Sequence, residues 1–385
     1  MSTLPAAVVL GLELNGLGVV RSLAKGPWRF PIIGFDADPS RASAKSRHVV
    51  RRKVASLDTP ALIDALVAFG RSQPTPPVLF LTQEKTVELI SQARDQLAPW
   101  FRFALPEPKA LAQLTDKTGF QAMAEADGFP VPRSVRIAVP ADIEATRGLA
   151  FPCVLKPTRR IAAYERRFRK AYKLADFAAL APLAEEVLPV AGELVVQEWI
   201  EGGDGDIFFC LQFRSAANRP LASFTGRKIR AWPPQVGGTA SCVAAPEADA
   251  VLGPLTDRFF AATGGVGLLS MEYKRDVRDG RFLMVEPTAG RTDHQEEVAT
   301  LNGVNIPLTA YAHLAGLDLP QAVAGPTAIW RDPVADAQSA RAQGDGTLPS
   351  GQVYDAYFRL ADPGPALARF AAALGRRLGI SSKAR

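Results

Sequence analysis

Apolar runs and amphipathic stretches take turns along the first hundred residues. Residues 6–10 (AAVVL) form a short continuous apolar run, as a strand buried on both faces would. The loop GLELNG follows, then a predicted helix at 17–25. A second buried strand at 31–35 (PIIGF) ends at Asp36, and a helix at 60–71 leads to a strand at 78–82 (VLFLT). Strand alternating with helix implies a doubly wound parallel sheet, so residues 1–108 are expected to form an open, Rossmann-like α/β domain.

The pattern changes after the bend LPEP (105–108). One long helix is predicted at 109–127, stopped by Asp127-Gly128. Strands are predicted at 153–157 (CVLKP) and 193–200 (ELVVQEWI), with 206–213 (DIFFCLQF) following a Gly-Gly turn as the second arm of a hairpin. Further strands are read at 221–228, 267–276 and 281–287, the last two joined by the turn Arg278-Asp279-Gly280. This antiparallel stretch gives an α+β region over 109–325. Residues 326–385 are expected to be an extension: a loop at 331–352, rich in Asp, Ala, Gln and Gly, and an amphipathic helix at 365–378. No internal repeat is visible.

Composition narrows the class. With 385 residues, 47% of them hydrophobic, the chain can bury two or three cores. Cys153, Cys210 and Cys242 lie far apart with no neighbouring histidine, which argues against a disulfide framework or a zinc site. No signal peptide is evident, and no apolar run approaches the roughly 20 residues that span a bilayer. A cytoplasmic protein without a membrane partner is the expectation. The net charge of +6 invites a nucleic-acid reading. Yet the basic clusters (Arg159, Arg160, Arg166, Arg167, Arg169, Lys170, Lys173; and Arg227, Lys228, Arg230) lack interleaved aromatics and any zinc-finger or RNA-recognition signature. Nucleic acid is therefore not expected as a partner.

Three constellations carry candidate chemistry. Glu272 and Glu286 fall on neighbouring strands joined by a short turn, each after an apolar run (GLLSM, FLMV) that is expected to bury it. Strands about 4.8 Å apart let same-face carboxylates share a metal ion, and hard oxygen ligands suit Mg²⁺. Lys156 ends the apolar strand FPCVL and offers a point charge to a phosphate. The segment QEWIEGGDGD (197–206) presents Gln197, Glu198 and the apolar Trp199 and Ile200 at a strand end, a plausible edge for a purine, with Asp206 placed to accept from ribose hydroxyls.

In this order the pieces resemble the ATP-grasp superfamily over about 5–310. DKTGFQAMAEADGFPVPRS (116–134) is similar to the segment leading into its nucleotide-binding domain, FPCVLKP to the strand of its phosphate-binding lysine, and VVQEWIEGGDGDI to its adenine hinge. GLLSMEYKRD and FLMVEPTAGR resemble its two metal-binding strands, in the variant E-P-T-x-G-R of an uncharacterised bacterial subgroup of carboxylate–amine ligases.

The resemblance implies a pre-ATP-grasp domain followed by a two-lobed ATP-grasp domain, with ATP and Mg²⁺ as cofactors. It puts Lys117 and Lys156 on the nucleotide phosphates. Gln197, Glu198 and the backbone of Trp199 and Ile200 would hold the adenine, and Asp206 the ribose. Glu272, Glu286 and Thr288 would hold the metal. Arg230, Arg291 and Lys228 would meet the substrate carboxylate or the transferring phosphoryl group. The implied reaction activates a small carboxylic acid as an acylphosphate, which an amine then attacks; a homodimer is the default assembly. Two departures stand out. The segment after Lys156 has no glycine, leaving open whether it is an arginine lid or a substrate loop, and Thr288 replaces the usual asparagine. The alternatives are a nucleotide-binding regulatory protein without turnover and an NAD(P)-dependent dehydrogenase. The second is disfavoured because Gly11, Gly16 and Gly18 do not make G-x-G-x-x-G, although Asp36 ends the second strand.

Overall fold

The computed structural model describes residues 4–158, 161–169, 171–235, 237–323 and 325–377. Its first part alternates as the apolar pattern requires: β1 (Ala7–Leu10), α1 (Leu14–Ala24), β2 (Ile32–Asp36), β3 (Val50–Lys53), α2 (Pro60–Arg71), β4 (Val78–Leu81), α3 (Glu84–Gln92) and the one-turn α4 (Arg94–Leu97). The strands form a four-stranded parallel sheet in the order β3-β2-β1-β4. β1, β2 and β4 are wholly buried, which explains their unbroken apolar runs. β3 (VRRK) is fully exposed on the sheet edge, so its sequence carries no apolar signal.

The expected single helix at 109–127 is two helices, α5 (Pro108–Thr115) and α6 (Lys117–Ala126). Asp116 breaks them: its extended backbone ends α5, and its carboxylate accepts from the Gly119 N–H at 2.9 Å to cap α6. A small lobe follows, with β5 (Ser134–Ile137), β6 (Cys153–Pro157), α7 (Ala162–Glu165), β7 (Tyr172–Leu174), α8 (Phe177–Ala191) and β8 (Leu194–Glu198). Its antiparallel sheet runs β5-β8-β6-β7. Alternate residues Leu155, Leu194 and Val196 point to α8 and form a core of their own with Leu180, Ala184 and Val187.

The rest of the chain builds a seven-stranded sheet, β13-β12-β9-β10-β11-β14-β15. Its elements in chain order are β9 (Ile207–Arg214), β10 (Pro220–Trp232), β11 (Gly238–Ala244), α9 (Pro246–Ala262), β12 (Gly267–Arg275), β13 (Phe282–Ala289), α10 (Glu296–Leu301), α11 (Ile306–Ala315), β14 (Ala328–Arg331), α12 (Pro333–Gln343), β15 (Gln352–Asp355) and α13 (Gly364–Arg377). One face packs Cys210, Met271 and Tyr273 against α9 and the α5–α6 pair. The other packs Leu211, Phe213 and Leu268 against α10, α11 and α1.

Three further expectations are corrected. β8 and β9 are not a hairpin: they belong to different sheets, and the Gly-Gly segment carries the chain between lobes. Gly202, at φ 145°, is required there, because a Cβ would lie 2.9 Å from Asp206 and 3.1 Å from the Arg275 carbonyl. Residues 331–352 are not one loop but contain α12, whose alanine- and polar-rich sequence hid its helical period. Nor is 326–385 an appendage, since β14 and β15 complete the large sheet. Buried ion pairs fasten this C-terminal stretch to α1 and α10. Arg21 bonds Asp362 at 2.9 Å and the Ala356 carbonyl at 2.6 Å, while Arg359 meets Glu297 at 3.0 Å. The three cysteines are free and buried.

Candidate active site

A cleft of about 640 Å³ separates the small lobe from the large sheet. β6 and β8 supply one wall. Their register sets Lys156 opposite Val195 and Gln197 opposite Val154, so period-2 alternation turns Lys156, Val195 and Gln197 to the cleft while Leu155 and Val196 enter the lobe core. The Lys156 ammonium reaches the Gln197 amide oxygen at 3.4 Å, and Gln197 donates to Gln121 of α6 at 3.2 Å. Ile161, Tyr164 and Glu165 close a second side, with Tyr164 wedged fully into the lobe core. Glu286 and its neighbours on β13 border the cleft from the large sheet.

Glu272 and Glu286 are direct cross-strand partners, so both carboxylates stand on one face of the sheet. They are not sunk in apolar surroundings as expected: Glu272 is half-buried and Glu286 exposed, because β13 is an edge strand at the cleft. The Lys228 ammonium, itself buried, pairs with Glu272 at 2.8 Å. Thr288 pairs with Ser270 and lies on the same face two residues beyond Glu286. Among the described residues no group of three His, Cys, Asp or Glu is gathered to hold a metal. Two carboxylates and a hydroxyl suit a cation such as Mg²⁺ that draws its remaining ligands from phosphate and water; they do not make a closed protein cage.

Arg291 follows β13 and shares a small cavity with Ser270, the residue two before Glu272 on the same face of β12. Its guanidinium contacts the Thr292 carbonyl at 3.1 Å and Asp293 at 3.5 Å. Arg230 lies outside the cleft lining. It is buried, bonded to Asp336 of α12 at 2.7 Å and to the Thr347 carbonyl at 2.8 Å. A β-bulge between Lys228 and Arg230 sets this outcome, and the guanidinium is used to dock α12.

The hinge residues divide in the same way. Glu198 accepts from the Ala150 N–H at 2.8 Å and turns from the cleft, so its carboxylate anchors the turn before β6. The Trp199 N–H is committed to the Pro152 carbonyl at 2.9 Å. Its indole lies between two ammoniums, Lys173 at 4.6 Å and Lys274 at 4.7 Å. Burial pulls the Lys274 ammonium below its ordinary value, against the attraction of Glu201 and Asp206. Ile200 is buried. Asp206 accepts from Gly203 N–H at 3.0 Å and pairs with Arg275 at 2.8 Å, which holds it on the hinge turn. Lys117 begins α6, and its side chain lies outside the described residues, as do Arg159, Arg160 and Lys170.

Gln121 and Arg136, which line the cleft, and Lys274 over the Trp199 ring carry no signal singled out in the sequence. Lys274 was accessible in principle, because it sits two residues after Glu272 and therefore on the same face. Asp36 is wholly buried and accepts from the Leu12 N–H at 2.6 Å and the Asp38 N–H at 2.7 Å. That commitment removes the ribose-binding acid a dehydrogenase would need.

Comparison with known proteins bears on this arrangement. No family model matches the chain. The biotin carboxylase domain of the Hydrogenobacter thermophilus 2-oxoglutarate carboxylase, a dimer solved with MgADP, ADP and bicarbonate, matches with a TM-score of 0.63 at 14% identity, over 86% of this chain and 74% of that one. The Staphylococcus aureus N5-carboxyaminoimidazole synthetase matches with a TM-score of 0.62 at 14% identity, over 86% and 82%. The chain shares the fold of these two enzymes. In sequence, the D-aspartate ligase of Enterococcus faecium (strain Aus0004) is 20% identical over 313 residues, spanning 78% of this chain and 74% of the relative.

Proposed function

We propose that this chain is an ATP- and Mg²⁺-dependent ligase that joins a small carboxylic acid to an amine through an amide bond. One observation carries the reading: Glu286 lines a cleft whose facing wall holds Lys156, and Glu272 stands directly opposite Glu286 on the neighbouring strand. The ATP-grasp fold and the likeness to a D-aspartate ligase support it.

The residues fit their groups by donor chemistry. Glu272, Glu286 and the Thr288 hydroxyl offer hard oxygens to Mg²⁺. Lys156 offers a positive charge to phosphate oxygens, with Gln197 fixing where the ammonium sits. Lys228 holds the Glu272 carboxylate in place and adds a cation next to it. Arg291 supplies a fork for a carboxylate or phosphoryl group, and Trp199 with Ile200 an apolar edge for the base. When bound, ATP supplies the phosphoryl group that turns a poor leaving oxygen into a good one, with Mg²⁺ offsetting the charge that develops. Cations preorganised around a partly closed cleft stabilise such charge without reorganising. No acid–base histidine is required; His294 stands 6.4 Å from the Trp330 ring and His313 packs edge-on to Phe213.

The finer assignments belong to this proposal. Residues 1–108 serve as a Rossmann-like domain preceding the ATP-grasp core, 109–325 provide the nucleotide-binding and catalytic region, and the molecule works as a homodimer. The test is ADP formation with pooled carboxylic acids and amines. Acid-dependent ADP release that needs Mg²⁺ is expected; tight ATP binding with no acid-dependent ADP would instead mark a nucleotide-binding regulator.

A further inference from the structure

The chain from Gly364 to its end holds Arg369, Arg376, Arg377, Lys383 and Arg385 and no acidic residue. Within it, α13 exposes an apolar stripe at helical spacing: Leu367 is 64% exposed, Phe370 70% and Leu374 46%. Residues three, four and seven apart share a helix face, so these side chains and the exposed Ala371 form one stripe. Just before the helix, Leu360 (89%) and Phe358 (53%) are exposed as well. The large apolar residues of a soluble helix ordinarily turn inward; here they turn out.

The opposite side of α13 is what attaches it to the body. It packs on the 3₁₀ turn Ala42–Lys45, close enough that a Cβ on Gly364 would lie 2.2 Å from the Lys45 carbonyl oxygen. Arg369 lies over the Tyr357 ring at 4.1 Å. The segment this turn belongs to, 41–53, contains Arg41, Lys45, Arg47, Arg51, Arg52 and Lys53 and again no acidic residue. Charge on an exposed edge strand also discourages strand pairing, which accounts for β3. It does not account for Lys45 and Arg47, which precede the strand, whereas Arg41 is held by Glu13 and Asp36.

We propose that the outward face of α13, together with the basic 41–53 edge beside it, docks the protein on an anionic phospholipid surface. An amphipathic helix with cations and outward Phe and Leu lies in the plane of a bilayer interface, its apolar stripe in the acyl boundary and its cations at the headgroups. No helix among the described residues is long and apolar enough to cross a membrane, so this is attachment from one side. A second copy of the chain fits less well. A two-fold contact through α13 would set one acid-free basic segment against another. The inference departs from the expectation that the protein has no membrane partner, and it is independent of the ligase reading.

The test uses the full chain and sedimentation with vesicles of phosphatidylglycerol mixed with phosphatidylcholine, against phosphatidylcholine alone. Binding is expected to the anionic vesicles only, and to weaken as salt is raised. Phe370→Glu with Leu374→Glu should lower vesicle affinity at least ~10-fold. Arg51→Gln with Lys53→Gln should lower it by roughly fivefold per charge removed. ADP formation and thermal unfolding should stay at wild-type values in both variants, since all four residues are exposed and none lines the cleft. Equal binding to neutral and anionic vesicles, or binding to neither, overturns the proposal. So does a dimer in light scattering that the Phe370 and Leu374 substitutions dissolve, which would make the stripe a contact between copies.

Discussion

Glu296 is enclosed where α10 meets α1. Burial, with the neighbouring Glu297 carboxylate second, pushes its acid up to about 8, although Ser22 and Thr300 hydroxyls donate to it. The unfolded chain should titrate this group near 4.5. Between those values the folded state holds a proton that the unfolded state has lost, so stability falls as pH rises from 4.5 to about 8 and is level beyond. Glu296→Gln should flatten that fall and be more stable above pH 8 by on the order of 3 kcal/mol, read from urea midpoints across pH. At the cleft, Lys156→Met should weaken ATP binding at least ~10-fold with little change in melting temperature, because the side chain lines an open space and is not part of the core. Calorimetric titration with a non-hydrolysable ATP analogue checks this. The pairing of Glu272 with Glu286 was legible in the sequence, since a three-residue turn between two apolar runs fixes which strands are neighbours. Their exposure was not, because the preceding apolar runs say what lies behind the strand and nothing about an open cleft in front of it.

Secondary-structure elements were readable where local chemistry decided them and misread where partners did. α2 and β6 fall where the pattern puts them. β8 and β9 read as a hairpin because Gly-Gly between two apolar strands is what a hairpin shows; only the separate core of the small lobe reveals that they part. α12 carries few apolar residues, since it is held to β10 by the buried Arg230–Asp336 pair. Removing one member of such a pair leaves a buried charge uncompensated. Arg230→Ala and Asp336→Ala should each destabilise by about 3–5 kcal/mol, and the double variant by clearly less than their sum. A double-mutant cycle in chemical denaturation measures it. If Arg230→Ala instead kept full stability and lost only activity, the guanidinium would return to the substrate site. Gly202→Ala, at the crossing between lobes, should cost about 1–3 kcal/mol through its positive φ and the contacts a Cβ would make. Differential scanning calorimetry reads this as a lowered melting temperature.

Across the whole molecule, the chain returns on itself so that its last elements lean on its first. Arg21 of α1 and Arg359 near the C-terminus meet at Glu297, which also accepts from the Trp330 indole at 3.0 Å. A sequence reading that assigns 326–385 to an extension cannot see this, because each member of the network is an ordinary charged residue in its own segment. The small lobe, the α5–α6 pair and the large sheet frame one cleft, and the central claim is that Glu272, Glu286 and Lys156 make it an ATP site that turns over. The most direct measurement is Mg²⁺-dependent ADP formation by wild type and by Glu286→Gln over a panel of carboxylic acids and amines. Acid-dependent ADP release is expected in the wild type and a loss of at least ~100-fold in the variant, with its circular dichroism and melting temperature retained. Wild-type activity retained by Glu286→Gln would contradict it.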